Sequence, residues 1–200
     1  MNTTSDAAGA DLPTADAATD SRPVLRAIRA RRSHSKVTDE APSHEDLMEL
    51  LEALVSISDH SSMRPWRVIE IRGEARETLG KALAKANGTK REKGIAKATR
   101  APLVLAVVVS PRRSKKVPYW EQEAVATGVA HLLSLLLHEA GWGTMWRTGH
   151  AARSKKIRKA HGLKPGEQIV GWLYVGGIRE RDQKPKPRKP LDVERHLSAL

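Results

Sequence analysis

Cysteine is missing from all 200 residues, which excludes disulfide staples, thiolate catalysis and Cys-ligated metal. Phenylalanine is missing too, and rings make up 4% of the chain, carried by five Trp and two Tyr. Large aromatic positions are therefore few, and each is a candidate core anchor or binding wall. Acid is short: 23 Asp and Glu stand against 35 Lys and Arg, a formal charge of +12. No apolar run is long and clean enough to read as a membrane span. Residues 1–21 have neither a cationic start nor an apolar core, so they do not read as a signal peptide. Cytoplasmic is the expected location. There is no G-x-S-x-G elbow, Walker sequence or H-E-x-x-H pair, and His131 and His138 lie seven apart without a third ligand. No metal is expected.

The cations need an account. They gather at 26–36, 85–100, 112–116, 153–164 and 179–189. A field of that sign attracts nucleic acid, acidic membranes or phosphorylated small molecules. The clusters are dispersed among folded elements, with no zinc-finger spacing and no RNP-type aromatics. This argues against nucleic acid as the partner and leaves room for a phosphate-bearing cofactor, although a basic non-catalytic binding protein stays open as the alternative.

Forty per cent apolar content over this length supports one domain with a real core. The expected division is a disordered tail at 1–21, a folded domain at 22–178, and an extended, proline-bearing tail at 179–200 that possesses the reach to wrap a partner subunit. The longest apolar stretch lies within Glu121 to Gly149. Val125, Val129, Leu132, Leu136 and Leu137 recur at helical spacing, and Ala124, Ala126, Ala130, Leu133 and Leu135 widen the stripe. Such a helix belongs at the centre, against a sheet or another subunit. Gly141 stands where a left-handed cap belongs, and Thr144-Met145-Trp146 follows as a short strand.

Around this helix the chain predicts helices at 24–32, after the Ser43 cap, at 74–87 and at 154–161. Val24, Leu25 and Ile28 are expected on the inner face of the first. The basic stretch 88–100 reads as partly helical and mobile. Strands are expected at 67–72, 101–110 and 168–175. They form neither regular βαβ units nor hairpins, so the fold class is α+β.

Four motifs then fall into one order: Arg31-Arg32-Ser33 with Lys36; Asp59 to Trp66, a polar loop closing in Pro-Trp; Lys116 to Glu123, leading into the long helix; and Gly141 to Gly149. Together they resemble the FMN-dependent nitroreductase family, in its compact bacterial NAD(P)H branch, over about Val24 to Gly177. The resemblance implies a central mixed or antiparallel sheet flanked by helices. It also implies a homodimer held by the long central helices, with FMN at the interface and NADH or NADPH as hydride donor. The activity implied is reduction of a nitroaromatic, quinone or similar small acceptor by a ping-pong route, with other flavin reactions (dehydrogenation, dehalogenation, flavin degradation) as alternatives on the same fold.

Carried over residue by residue, Arg31, Arg32, Ser33 and Lys36 would bind FMN from one subunit. Ser56 and His60 would approach it from the other, and Trp146, Arg147 and Thr148 would return to the first. No side chain is expected as an essential acid or base, because the flavin carries the chemistry. Three positions depart from the family pattern. Lys36 puts a point charge where a guanidinium fork is usual, Arg64 stands in place of Gln before Pro-Trp, and Ser56 stands where this branch often has Arg.

Overall fold

A computed structural model describes residues 22–184 and 187–200. The tail 1–21, expected to be disordered, lies outside the described residues, as do Pro185 and Lys186 of the C-terminal tail. The chain divides into two compact units, one ending at Arg31 and one running from Arg32 to Leu200.

In the first unit α1 (Pro23–Ala30) starts on a proline, whose missing N–H falls where a helix has no partner for it. Arg31 closes it by donating its N–H to the Ala27 carbonyl at 2.9 Å. Val24 and Ile28 are exposed, at 65% and 51%, where an inner face was expected. Spacing of four shows which residues share a face, and says nothing about what covers it.

The second unit contains α2 (His44–Ala53), β1 (Trp66–Ile71), α3 (Ala75–Asn87), α4 (Arg91–Ala98), β2 (Leu103–Val109), α5 (Tyr119–Glu139), β3 (Trp142–Arg147), α6 (Lys155–Ala160) and β4 (Gln168–Gly177). The four strands form one sheet in the order β1-β2-β4-β3, and each neighbouring pair is antiparallel. The mixed alternative is therefore not what the strands adopt. A parallel contact does occur as an isolated bridge between Ser33 and Thr144.

The sheet separates two apolar layers. All of β2 is buried, and its side chains alternate: Leu103, Leu105 and Val107 enter the layer with α2 and α5, while Val104, Ala106 and Val108 enter the layer with α3 and α6. On β4, Leu173 and Val175 face the first layer, Trp172 and Tyr174 the second. A bulge opposite Val107/Val108 shifts the register from Gly171 to Ile169, so that Val170 joins the α5 side and Ile169 the other.

Helix α5 presents Val129, Leu133 and Leu137 to the sheet. Its other face keeps Trp120 68% and Leu132 40% exposed. Gly141, at φ +86°, ends it as the sequence suggests. Ser43 caps α2 in a full capping box, its hydroxyl accepting from the Asp46 N–H at 3.0 Å and its own N–H donating to Asp46 at 2.8 Å. The basic stretch expected to be partly helical forms α4, held close on α3 through two glycines. A Cβ on Gly94 would come 2.3 Å from the Gly80 carbonyl oxygen, and one on Gly80 would come 2.5 Å from the Ile95 Cα. No helix is long and apolar enough to cross a membrane among the described residues.

Candidate functional site

The segment from Ser33 to Glu40 is held to the sheet by backbone hydrogen bonds, and Val37 packs against the core from within it. His34 donates its N–H to Thr144 O at 2.8 Å, Thr38 donates to Gly177 O at 2.9 Å, and Gly177 donates to Glu40 O at 3.0 Å. The double glycine at the end of β4 makes this approach possible. A Cβ on Gly176 would meet Val37 at 2.6 Å and one on Gly177 would meet the Thr38 hydroxyl at 2.2 Å. Beyond these glycines the chain makes a short turn at Glu180–Asp182, which brings Arg179, Arg181 and Lys184 round to Arg32, Ser33 and Ser35. Together they wall a cavity of about 380 Å³. Four cations and two serine hydroxyls face it. The carboxylate in the wall, Asp182, is engaged by Arg179, whose Nε donates to it at 2.8 Å. Guanidinium forks and hydroxyls converging in this way suit a phosphate.

From Thr144 the strand β3 leads to Trp146 and Arg147, roughly 10 Å further on at the rise of a strand. The indole of Trp146 lies edge-on to His131 with ring centroids 4.5 Å apart. Gly171 on the neighbouring strand leaves room for it, since a Cβ there would sit 2.1 Å from the indole nitrogen. The Arg147 guanidinium stands 5.6 Å above the Tyr174 ring. Two buried donors here, Trp146 Nε1 and Arg147 Nε, have no hydrogen-bond partner among the described residues. Such orphans are costly in a finished interior. Arg147 and Thr148 also line a second cavity, of about 440 Å³, between β4 and the ends of α3 and α4. Burial pushes the Tyr174 phenol above its ordinary range, against the opposite pull of Arg147 and Arg100.

A third cavity, of about 570 Å³, lies on the outer face of α5. Ser56, Ile57 and His60 form one side, and Trp120, Val125 and Leu132 the other. The loop carrying His60 is tightly wound: Ser61, Ser62 and Arg64 all have positive φ, at 63°, 47° and 48°. The Asp59 carboxylate holds it by accepting the Arg64 N–H. His60 Nδ1 lies 2.8 Å from Glu121 Oε2, which ties the loop to the start of α5.

The nitroreductase family model matches residues 28–177. The chain belongs to the nitroreductase family. It is 38% identical over 159 residues to YdjA of Escherichia coli (strain K12); the match takes in 76% of this chain and 86% of YdjA. Among solved structures it superposes on the nitroreductase-like family protein from Bacillus cereus with a TM-score of 0.74 at 23% identity, covering 91% of this chain and 98% of that one. The FMN and NADPH-dependent nitroreductase NfnB from Sphigopyxis sp. strain HMH aligns at a TM-score of 0.66 and 16% identity, over 88% and 98% of the two chains. The fold is the α+β nitroreductase fold.

Within this nitroreductase fold the residues singled out from the sequence fall into separate places. Arg32 and Ser33 share the cationic cavity, while Lys36 is exposed and outside its wall. Arg31 closes α1 in the first unit. Trp146, Arg147 and Thr148 are at the end of β3 and just beyond it. Ser56 and His60 line the cavity on α5 and take no part in the walls of the other two. Arg179, Arg181 and Lys184 escaped the sequence reading, which gave them to an extended tail. Their signal was position: a cationic run directly after a buried strand that ends in Gly-Gly.

Proposed function

We propose that this nitroreductase is an FMN-dependent oxidoreductase that accepts hydride equivalents from NADH or NADPH and passes them to a small oxidised acceptor, of nitroaromatic or quinone type. The observation that carries the reading is the cationic cavity joined to β3 through the Ser33–Thr144 bridge. Arg32, Arg179, Arg181, Lys184 and the Ser33 hydroxyl would hold the FMN phosphate. Trp146, Arg147 and Thr148, at the end of β3 and just beyond it, would stand beside the ring system. Lys36 would add a cation nearby. FMN, when bound, supplies the hydride chemistry. The protein supplies position, a cationic field around reduced flavin and shelter from water.

The second half of the site would come from a second copy of the chain. Trp120 and Leu132 leave the outer face of the longest helix apolar and exposed, and Ser56 and His60 stand at its margin. Burying this face against its symmetry mate would bring His60 and Ser56 of one copy to the flavin held by the other. Donor and acceptor would use one slot in turn, which gives ping-pong kinetics. No acid or base side chain is assigned. Stoichiometric flavin in the purified protein, reduced by NADPH or NADH without oxygen and reoxidised by a nitroaromatic, is the result that tests the proposal. Protein that binds no flavin would overturn it.

A further inference from the structure

The cavity beyond Arg147 has a composition of its own. Trp172 and Tyr174, two residues apart on β4, form its floor, with Leu83 of α3 beside them. Lys97, Arg100 and Arg147 stand in its wall, and no carboxylate lines it. None of these three cations is in an ion pair among the described residues. Arg100 donates its Nε to the Lys97 carbonyl at 3.1 Å, which ties its guanidinium to the end of α4. Tyr174 is only 4% exposed, yet its hydroxyl has no hydrogen-bond partner among the described residues. The buried Arg147 Nε is also without one. Three like charges around one cavity repel one another, and that arrangement is relieved by an anion.

We propose that this cavity selects planar aromatic carboxylates, and that these are the acceptor class of the enzyme. The identity of the occupant as acceptor rests on the function proposed above; the selection itself does not. An aromatic ring fits the slot between the two β4 rings and Leu83, at a volume of about 440 Å³ that is ordinary for small ligands. The carboxylate then meets Arg100 and Lys97 at one end, where a guanidinium fork matches its two oxygens. Arg147, already stacked on Tyr174, and the Tyr174 hydroxyl supply the remaining donors.

The test compares two probes of one shape, 3-nitrobenzoate and its neutral counterpart 3-nitrobenzamide, by calorimetric titration of the purified protein as it comes. The proposal expects 3-nitrobenzoate to bind tenfold or more tightly than the amide. Arg100→Ala, and separately Lys97→Ala, should shrink that ratio severalfold; both residues are exposed, so both variants should fold. Added salt should shrink it as well. Equal affinity for the two probes, or a preference that survives both substitutions, overturns the proposal. The outcomes separate from those of the flavin reading. Colourless protein that prefers 3-nitrobenzoate keeps the pocket and removes the flavin, and yellow protein without the preference does the reverse.

Discussion

Ser33 lies in a parallel bridge to Thr144, and the next residue, His34, donates its N–H to the Thr144 carbonyl at 2.8 Å. This contact couples a cavity rich in cations to the strand that ends in Trp146 and Arg147. Gly143 lets the segment pass, since a Cβ there would crowd Val37, Gly176 and His34 at 3.2–3.3 Å. Backbone hydrogen bonds thus tie the cavity to the sheet, and the exposed or half-exposed side chains that line it, Arg32 and Arg181 among them, can be changed without dismantling the sheet.

Replacing Arg32 and Ser33 together by alanine should therefore empty the protein of FMN while leaving it folded. Arg181→Ala, on the opposite wall, should weaken flavin binding on its own. Each lost charged hydrogen bond to phosphate is worth about 1.5–3 kcal/mol, or roughly tenfold or more in affinity. The ratio of visible to ultraviolet absorbance in the purified variants checks this. Full flavin occupancy in the double variant would contradict the assignment.

Acid should destabilise the fold chiefly through Glu167. Its side chain, 3% exposed, takes two bonds from Arg67 at 2.8 Å each, one from Ser110 at 2.9 Å and one from the Lys164 N–H at 2.8 Å. The Arg67 bond foremost holds its pKa at about 2, against an ordinary 4.5. A depressed carboxylate pKa means stability that is complete above 4.5 and lost as the pH falls from there toward 2. Glu167→Gln should lower stability at neutral pH by about 2–3 kcal/mol and flatten its fall over that window, as read by urea denaturation at several pH values. An unchanged acid profile would remove Glu167 from the account.

Leu132→Asp should separate the proposed subunits. Leu132 is 40% exposed in the single chain, so the substitution spares the monomer core and places charge on the α5 face. Sedimentation should show a monomer, and flavin should be lost with the partner's His60. A dimer that persists would shift the interface elsewhere.

Gly94→Ala should loosen α4 from α3. Its Cβ would meet the Gly80 carbonyl at 2.3 Å and Ala84 Cβ at 2.6 Å, and backbone cannot yield as a long side chain does. The expected loss is roughly 1–3 kcal/mol, measured as a lower urea midpoint with an unchanged slope.

Much of the fold could be read from the chain in advance, for local reasons. The α5 stripe, the buried run of β2, the Ser43 box and the Gly141 cap each depend on neighbours in sequence, which periodicity and cap chemistry report. The exposure of Val24 and Ile28 escaped because a stripe does not name its cover. The packing of α4 on α3 escaped because it rests on Gly80 and Gly94, two residues that by propensity argue against helix. Arg32 and Ser33 were legible as neighbours in the cationic cavity, since they sit in one short motif. Arg179, Arg181 and Lys184 were not. They reach the same cavity from far along the chain through the turn after Gly177, and only the return of that turn reveals it.

The most direct measurement is the visible spectrum of the purified protein before and after anaerobic NADPH or NADH. The account predicts flavin bands at stoichiometric intensity that bleach with reductant and return with a nitroaromatic acceptor. Colourless protein that also fails to take up added FMN would contradict it.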